Sequence, residues 1–439
     1  MATLLIIADD LSGTADCAVG CATCGLHTVV TLSASVSPGV DVDIIAADTD
    51  SRRLAPAAAA QANVAMWQAH ARQAHYVYKK IDSTLRGNVA AEVAALVPHA
   101  GLALVAPAFP ATGRTTRHGC QLLDGVPVEE TDVWRNEGIK GRADLNAMFE
   151  AQGLRTALVD LTELRDMDET ALAERLGELQ AEGVEAVVCD SEMEQDLALI
   201  ARASRGLEDI FWVGSAGLAA QLAEALGFPA PHAAAPARPA LAGPILTVVG
   251  SMSQVSQRQA RHLREGLGAT LVNVEVSAAL LRETPVSEKQ RAFAAHVDSA
   301  LAAGRDVLIT LTQDETRNAA EGLTLCTHLG QLLAPSLARP GALVATGGET
   351  ARALLCAAGI DQLQVIEEIE TGMPLSRAAV GSGSAARSLS VVTKAGGFGR
   401  PETLFNAWRH LAGMRAGKTL PPDIPADIAT MNHQEDRTS

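Results

Sequence analysis

The stretch Lys-Lys-Ile-Asp-Ser-Thr-Leu-Arg-Gly-Asn, from Lys79 to Asn88, connects a predicted strand to a predicted helix. Residues 76–78 before it have the aromatic and β-branched side chains of a strand. Residues 89–97 after it carry a helical apolar pattern, with Asn88 as a preferred N-cap and Glu92 expected on the polar face. Open α/β sheets bind ligands at such turns, so this stretch predicts an α/β fold with a ligand site here.

The same alternation of strands and helices extends over most of the chain, which is typical of parallel α/β folds. Proline and alanine dominate residues 229–243, which we interpret as a linker. We therefore predict two α/β domains with largely parallel sheets, at residues 1–228 and 244–415, and a disordered tail at residues 416–439. Residues 107–142 are too long for a plain connection, which predicts a functional or partly structured insert.

Composition excludes some classes of partner. The 439 residues carry a formal net charge of −16, which would repel nucleic acid and anionic membranes. No apolar run approaches the roughly 20 residues that span a bilayer. The apolar run at the N-terminus is too short for the hydrophobic region of a signal peptide. The seven cysteines are scattered and odd in number, as suits a reducing cytoplasm. We expect a cytoplasmic protein without nucleic-acid or membrane partners, and a homodimer stays open.

Three cysteines near the N-terminus, Cys17, Cys21 and Cys24, have the spacing found in radical enzymes that hold an iron–sulfur cluster. They fall on one stripe of a predicted helix, where small thiols make ordinary core. Sulfurs strung along a helix cannot easily bind the irons of one cluster, so we predict a structural role.

Three predicted strands of the first half end in polar or charged turns. These turns are Asp9-Asp10, residues 50–53 and residues 80–86. In one parallel sheet they would meet at one edge, where carboxylates can bind hydroxyl groups and arginines can bind a carboxylate through two hydrogen bonds. The pattern predicts a pocket for a small polyhydroxy acid.

Three predicted strands of the second half end in glycine-rich turns, at residues 250–253, 347–350 and 396–399. Glycine lets a phosphate approach the backbone closely, and the start of the following helix favours an anion. The second half is therefore predicted to bind a nucleotide.

Seven stretches, in order along residues 3–412, resemble the signatures of the four-carbon acid sugar kinase family. They are residues 8–16 (Ala-Asp-Asp-Leu-Ser-Gly-Thr-Ala-Asp), 79–88, 106–110 together with 113–116, 125–131, 248–251, 346–350 and 393–399. The chain departs from the family pattern at Ser12, at Met252 and at residues 371–374.

The resemblance implies ATP-dependent phosphorylation, with Mg²⁺, of the 4-hydroxyl of a four-carbon sugar acid. The form of residues 79–88 favours D-threonate, with D-erythronate and 3-oxotetronate as alternatives. By position, the resemblance implies that the acid would bind Asp9, Arg53, Ile81, Asp82, Ser83 and Thr84. ATP would bind Ser251, Gly347, Gly348, Glu349, Thr350 and Gly397.

The residues leave the general base open among Asp10, Asp16 and Asp82, and they leave the metal ligands unassigned. Two rival functions remain. A hydroxy-acid dehydrogenase would need a G-x-G-x-x-G turn after a strand, which the chain lacks. A sugar-acid binding protein would bind the ligand without consuming ATP, and the missing signal peptide counts against it.

Overall fold

The computed structural model describes residues 2–34, 41–228, 240–312, 321–381 and 387–415. The predicted tail at residues 416–439 lies outside these ranges, as do residues 229–239 of the predicted linker.

The first half is built on parallel strands with helices between them. The strands are β1 (Ala2–Ala8), β2 (Thr28–Thr31), β3 (Ile44–Asp48), β4 (Ala74–Lys80), β5 (Leu102–Ala106), β6 (Arg114–Arg117), β7 (Cys120–Leu123), β8 (Val126–Pro127), β9 (Thr156–Val159), β10 (Ala186–Cys189) and β11 (Ile210–Gly214). In the main sheet the order is β2-β3-β1-β4-β11-β5-β10-β9, and every neighbouring pair is parallel. Most of these strands are continuous apolar runs because helices cover both faces.

The helices of this half are α1 (Leu11–Thr23), α2 (Pro56–His70), α3 (Val89–Ala100), α4 (Asp132–Glu137), α5 (Leu145–Glu150), α6 (Leu161–Asp166), α7 (Glu169–Ala181), α8 (Glu194–Ser204) and α9 (Ala216–Ala225). Helix α1 begins immediately after Asp10, whose Oδ1 accepts a hydrogen bond of 3.1 Å from the Gly13 amide and so caps the helix. Cys17, Cys21 and Cys24 are buried with free thiols, as predicted for core residues.

The predicted insert at residues 107–142 is structured. Strands β6, β7 and β8 form a small antiparallel sheet of their own, and α4 follows them. The insert packs beside the turn that follows β4.

The second half has its own parallel strands and an antiparallel extension. Its strands are β12 (Ile245–Val249), β13 (Leu271–Ser277), β14 (Asp306–Thr312), β15 (Ala342–Thr346), β16 (Gln362–Glu368), β17 (Pro374–Val380) and β18 (Arg387–Lys394). Its helices are α10 (Gln254–Leu267), α11 (Ala278–Arg282), α12 (Glu288–Ala302), α13 (Gly322–Leu333), α14 (Gly348–Ala357) and α15 (Thr403–Gly413). The order is β13-β14-β12-β15-β18-β17-β16, in which β17 runs antiparallel to both of its neighbours.

A single 15-stranded sheet runs through both halves, because β16 pairs antiparallel with β2. Only three residue pairs form this junction, with Leu363 opposite Val30 at its centre. One apolar cluster, which includes Ala18 of α1 and Leu363 of β16, extends across it. The α/β class with largely parallel sheets is confirmed, whereas the antiparallel strands β6, β7, β8, β16 and β17 were not predicted.

Two predictions about α3 have different outcomes. Asn88 occupies the predicted N-cap position, but its Nδ2 donates to the carbonyls of Ser51 (3.0 Å) and Leu54 (2.9 Å) and its side chain does not cap the helix. The predicted exposure of Glu92 on the polar face is wrong. Glu92 is only 1% exposed, and its Oε2 lies 2.7 Å from Nζ of the equally buried Lys79 on β4. Helical periodicity cannot reveal a partner that arrives from another element, and a buried carboxylate needs one.

Candidate active site

The carboxyl ends of β3, β1 and β4 lie side by side, because these strands are neighbours in the parallel sheet. This arrangement brings together the three charged turns of the first half, as the sequence predicted. Their convergence forms a polar edge around Asp9, Asp10 and Asp82.

Arg52 connects the turn after β3 to the turn after β1. Its Nε lies 2.6 Å from Asp9 Oδ2, and its Nη2 lies 3.0 Å from Asp9 Oδ1 and 2.8 Å from Asp10 Oδ1. Burial alone would raise the pKa of Asp9, but Arg52 and the lysines of β4 lower that pKa overall. Asp9 is therefore held as a carboxylate, and both of its oxygens are occupied by Arg52.

Asp82 forms the centre of the turn after β4. Arg86 donates to it through Nε (2.9 Å) and Nη2 (2.7 Å), and the amide and hydroxyl of Thr84 also donate to its Oδ2. Burial opposes ionisation of Asp82, yet Arg86, Arg52 and Thr84 hold its pKa well below the usual value. Asp82 is a strongly bound carboxylate that shapes the turn and orients Arg86.

Lys80 is buried between these carboxylates. Its Nζ donates to the Ile81 carbonyl at 2.9 Å, and a Cβ at Gly13 would come within 2.9 Å of it. Burial by itself would lower the pKa of Lys80, but Cys17 and the neighbouring aspartates raise it. Glycine at position 13 thus leaves room for an ammonium group beside the start of α1.

A network of buried polar contacts supports the turn after β3. Ser51 donates to Glu92 Oε1 at 2.5 Å and lies 2.7 Å from the Thr49 hydroxyl, next to the Lys79–Glu92 ion pair. This network fixes the turn that carries Arg52.

The insert supports the same region. Gln121 of β7 donates through Nε2 to the Ser83 carbonyl, and Trp134 of α4 donates through Nε1 to the Thr84 carbonyl, both at 2.7 Å. The insert therefore fixes the backbone of the turn that carries Asp82.

Some of the predicted residues lie away from this centre. Arg53 points to the second half and pairs with Glu349. The Ile81 side chain is 1% exposed in the core, its amide donates to the Gly214 carbonyl at 2.8 Å, and its carbonyl accepts from Lys80, so only the second lone pair of that carbonyl is open to a ligand. Asp16 is half-buried further along α1, where burial raises its pKa against the opposing charge of Lys80.

In the second half, the carboxyl ends of β12, β15 and β18 are adjacent, since these strands are also parallel neighbours. Their glycine turns contact one another closely. Ser253 and Ser256 both donate to the Gly396 carbonyl at 2.7 Å, and a Cβ at Gly396 would come within 2.1 Å of Ser251 Oγ. Gly397, in contrast, faces open space, with no atom within 4 Å of an added Cβ.

The turn at residues 347–350 depends on a glycine with positive φ. Gly347 has φ +90°, a conformation that other residues rarely adopt, and it leads into α14. The buried hydroxyl of Thr346 has no partner among the described residues, which suits a ligand that brings one. The side chain of Thr350 is already packed. It fills the space above Gly250, and its Oγ1 lies 3.3 Å from Cys326 Sγ.

Lys394 supports the turn after β18. It is 1% exposed, and its Nζ donates to the carbonyls of Ala395 (2.7 Å) and Phe398 (2.6 Å). Burial lowers the pKa of Lys394 to about 8. The sequence signal for this role was the lysine at the end of an apolar strand, directly before the glycines.

The acidic edge and the glycine turns face each other where the halves meet. A Cβ at Gly348 would lie 3.1 Å from Ser12 Oγ and 3.2 Å from Asp10 Oδ2. Arg352 of α14 also reaches the first half, where it pairs with Asp48 and, at 3.0 Å, with Asp50. The carboxylates of the first half and the glycine turns of the second half therefore lie on opposite sides of one junction.

Two other features lie apart from the site. A cavity of about 420 Å³ opens at the β2–β16 junction and is lined in part by His27, Gln364 and Arg377, none of them predicted site residues. Within the described ranges, every helix is too short or too polar to cross a membrane.

Comparisons with known proteins find two domain families in the chain. Residues 4–222 match the model of a sugar-binding N-terminal domain, and residues 246–404 match that of a nucleotide-binding C-terminal domain. The chain is 48% identical over 416 residues to D-threonate kinase from Cupriavidus necator, an alignment that covers 94% of this chain and 99% of the relative. It is 32% identical to D-threonate kinase from Salmonella typhimurium, again over 94% and 99% of the two chains.

A solved structure from Salmonella typhimurium LT2 has the same fold, with a TM-score of 0.78 at 22% identity, and covers 93% of this chain and 100% of its own. Together, the two domain matches and the near-full-length similarity to D-threonate kinases mean that this chain belongs to the four-carbon acid sugar kinase family.

Proposed function

We propose that the protein transfers the γ-phosphoryl group of ATP to the 4-hydroxyl of D-threonate, giving 4-phospho-D-threonate. The observation that carries this proposal is the close approach of Gly348, at the start of α14, to Asp10 and Ser12. This approach places the start of α14, which favours phosphate, next to side chains of the first half that can bind hydroxyls and carboxylates. The similarity to D-threonate kinases supports D-threonate over the alternatives, D-erythronate and 3-oxotetronate.

We propose that the acid binds against Asp9 and the turn at residues 81–84. Ser83 is half-buried there and its hydroxyl can reach a ligand. Arg53 could bind the substrate carboxylate only by leaving Glu349, so Arg114 is a better-placed candidate. Its buried Nε has no partner among the described residues, and the charges of Asp82 and Arg86 act on its pKa, which burial lowers.

We propose that the nucleotide phosphates lie against Ser251, Gly397 and the turn from Gly347 to Thr350. Thr350 would contribute its backbone amide at the helix start, because its side chain is packed. Glu349 would repel the phosphates unless neutralised, and its pairing with Arg53 supplies that neutralisation. The arginine and the glutamate then act together rather than as separate ligands.

Mg²⁺ belongs to the same proposal. Kinases usually hold this ion through phosphates and one or two carboxylates, and it neutralises charge on the phosphates. The described residues contain no cluster of three or more His, Cys, Asp or Glu side chains that could hold a metal by themselves. The lone carboxylates at the junction fit an ion that arrives with the nucleotide. The free thiols of the cysteines support a cytoplasmic setting.

The test is ADP release by the purified protein with D-threonate, D-erythronate and 3-oxotetronate, each with and without Mg²⁺. We expect the highest kcat/KM with D-threonate and no turnover without Mg²⁺. Faster turnover of another tetronate would correct the acid but keep the kinase. The absence of ADP release with every acid would contradict the proposal. A nicotinamide absorbance assay would then test the dehydrogenase alternative.

A further inference from the structure

Two helices start at the junction between the halves and face each other. Helix α1 begins after Asp10 and α14 begins at Gly348, and a Cβ at Gly348 would lie 3.5 Å from the Ser12 amide nitrogen. Each helix start carries partial positive charge and free amide groups. A phosphoryl group in transfer carries its charge on equatorial oxygens, so this junction suits it electrostatically.

The carboxylates near the junction differ in which of their oxygens are free. Both oxygens of Asp82 accept hydrogen bonds from Arg86, and both oxygens of Asp9 accept from Arg52. A proton acceptor needs a free lone pair within hydrogen-bond reach of the substrate hydroxyl. Asp82 and Asp9 therefore have no oxygen that is free of an arginine, and the positive charge of that arginine lowers the pKa of each carboxyl, which makes both carboxylates weak bases.

Asp16 is also a poor candidate on position. It lies six residues beyond Asp10, which is about 9 Å along the axis of α1 at 1.5 Å per residue. The atoms of the first half found nearest to Gly348 belong to Asp10 and Ser12.

Asp10 has the required arrangement. Its Oδ1 is occupied by the Gly13 amide (3.1 Å) and by Arg52 Nη2 (2.8 Å), whereas no group in the described part of the chain donates to its Oδ2. That oxygen faces Gly348 across the junction, and the side chain is 21% exposed. The two bonds to Oδ1 fix the carboxylate so that Oδ2 points to the place where the two halves meet.

Building on the proposed function, we infer that Asp10 is the general base, with Arg52 as the positioning residue that orients it. Asp10 Oδ2 takes the proton of the 4-hydroxyl as the oxygen of that hydroxyl forms its bond to the γ-phosphorus. The bond between this phosphorus and the bridging oxygen of ADP breaks, and the electron pair leaves with ADP. The helix starts of α1 and α14 stabilise the charge of the transferred group.

The test compares Asp10→Asn and Asp10→Ser with the wild type. Asparagine and serine are both good N-caps, so each keeps the start of α1 while removing the basic oxygen. We expect kcat to fall by a factor of about 10² to 10⁴, the usual size of general-base catalysis. The KM values for acid and ATP should change less than about threefold, since neither ligand loses a main binding group.

Several outcomes would overturn the assignment. A variant that keeps more than a tenth of the wild-type kcat would do so, as would a larger loss of kcat in Asp16→Asn. A rise of tenfold or more in the Mg²⁺ concentration for half-maximal rate would identify Asp10 as a metal ligand instead. A separate result would contradict the proposed function itself: no ADP release by the wild-type protein with any tetronate.

Discussion

Arg352 and Asp48 form an ion pair between the two halves of the chain, although 304 positions separate them in the sequence. Arg352 lies on α14, the helix whose start faces Asp10, and Asp48 is the last residue of β3. Asp48 is fully buried, so Arg352 supplies charge that water cannot. The pair fixes α14 relative to the end of β3.

Replacing Arg352 should therefore destabilise the protein more than replacing a surface arginine. Arg352→Met leaves the Asp48 carboxylate buried without its cation, and we expect the free energy of unfolding at pH 8 to fall by about 3 kcal/mol. Arg53→Met is the control, because its pair with Glu349 is partly exposed and should contribute about 0–1 kcal/mol. Urea unfolding measures both, and equal losses would contradict the importance of the buried pair.

The pH dependence of stability should carry a signature of Asp48. Burial raises the pKa of Asp48 to about 7, although Arg352 opposes this shift. Between the unfolded value of 3.8 and about 7, the folded state holds a proton that the unfolded state has lost. Raising the pH through this range therefore favours unfolding, by up to about 1.4 kcal/mol per pH unit.

Asp48→Asn removes this contribution. The free energy of unfolding of the wild type, minus that of the Asn variant, should decrease as the pH rises from 5 to 7. Urea unfolding of both proteins at each pH measures this difference. A difference that is constant with pH would show that Asp48 titrates normally.

Arg52 should matter more for turnover than Arg53, its neighbour in sequence. Arg52→Met removes the hydrogen bonds that orient Asp9 and Asp10, and misplacement of reacting groups commonly costs about 10²-fold in rate. Arg53→Met should mainly raise the KM for ATP, because it leaves Glu349 unneutralised near the phosphates. Steady-state kinetics with both substrates varied distinguishes these results, and a larger loss of kcat in the Arg53 variant would reverse the two roles.

The insert should affect the acid site through Trp134. Trp134→Phe keeps the ring in the core but leaves the Thr84 carbonyl without its donor, which should cost about 1–3 kcal/mol of unfolding free energy. Because Thr84 adjoins Asp82, the KM for the acid should rise several-fold while the KM for ATP stays the same. Equal rises of the KM for the acid and the KM for ATP would indicate a general loss of stability rather than a local change at this turn.

The glycines at positions 396 and 397 form a matched pair. Gly396→Ala places a methyl group 2.1 Å from Ser251 Oγ and should destabilise the protein by about 1–3 kcal/mol. Gly397→Ala meets no atom within 4 Å, so its unfolding free energy should stay near the wild type. If the nucleotide occupies that open space, Gly397→Ala should still raise the KM for ATP, and an unchanged KM would remove Gly397 from the nucleotide site.

Much of this organisation could be predicted from local sequence. Apolar strands that end in charged or glycine turns identify both sides of the site, because the carboxyl ends of neighbouring parallel strands meet. Which arginine of the Arg52-Arg53 pair contacts Asp9 and Asp10 could not be predicted, since adjacent residues in a turn have no fixed periodicity. The Arg352–Asp48 pair and the buried Lys79–Glu92 pair also depend on partners distant in sequence.

Strands β16 and β17 escaped prediction for another physical reason. Residues 362–368 read Gln-Leu-Gln-Val-Ile-Glu-Glu, in which buried and exposed positions alternate only in part, and a bulge between Val365 and Glu367 breaks the period. The apolar residues of β16 are few, and the strand pairs with β17 of its own half and with β2 of the other half. The domain limits predicted at residues 228 and 244 stay predictions.

The three residue pairs between β2 and β16 have a consequence for any attempt to separate the halves. Expressed alone, each half would present an unpaired strand at its margin, with backbone amides and carbonyls ready to pair with another chain. Such fragments would tend to aggregate or to exchange strands between copies. Because the sheet is continuous through these three pairs, the junction also ties the first half of the chain to the second.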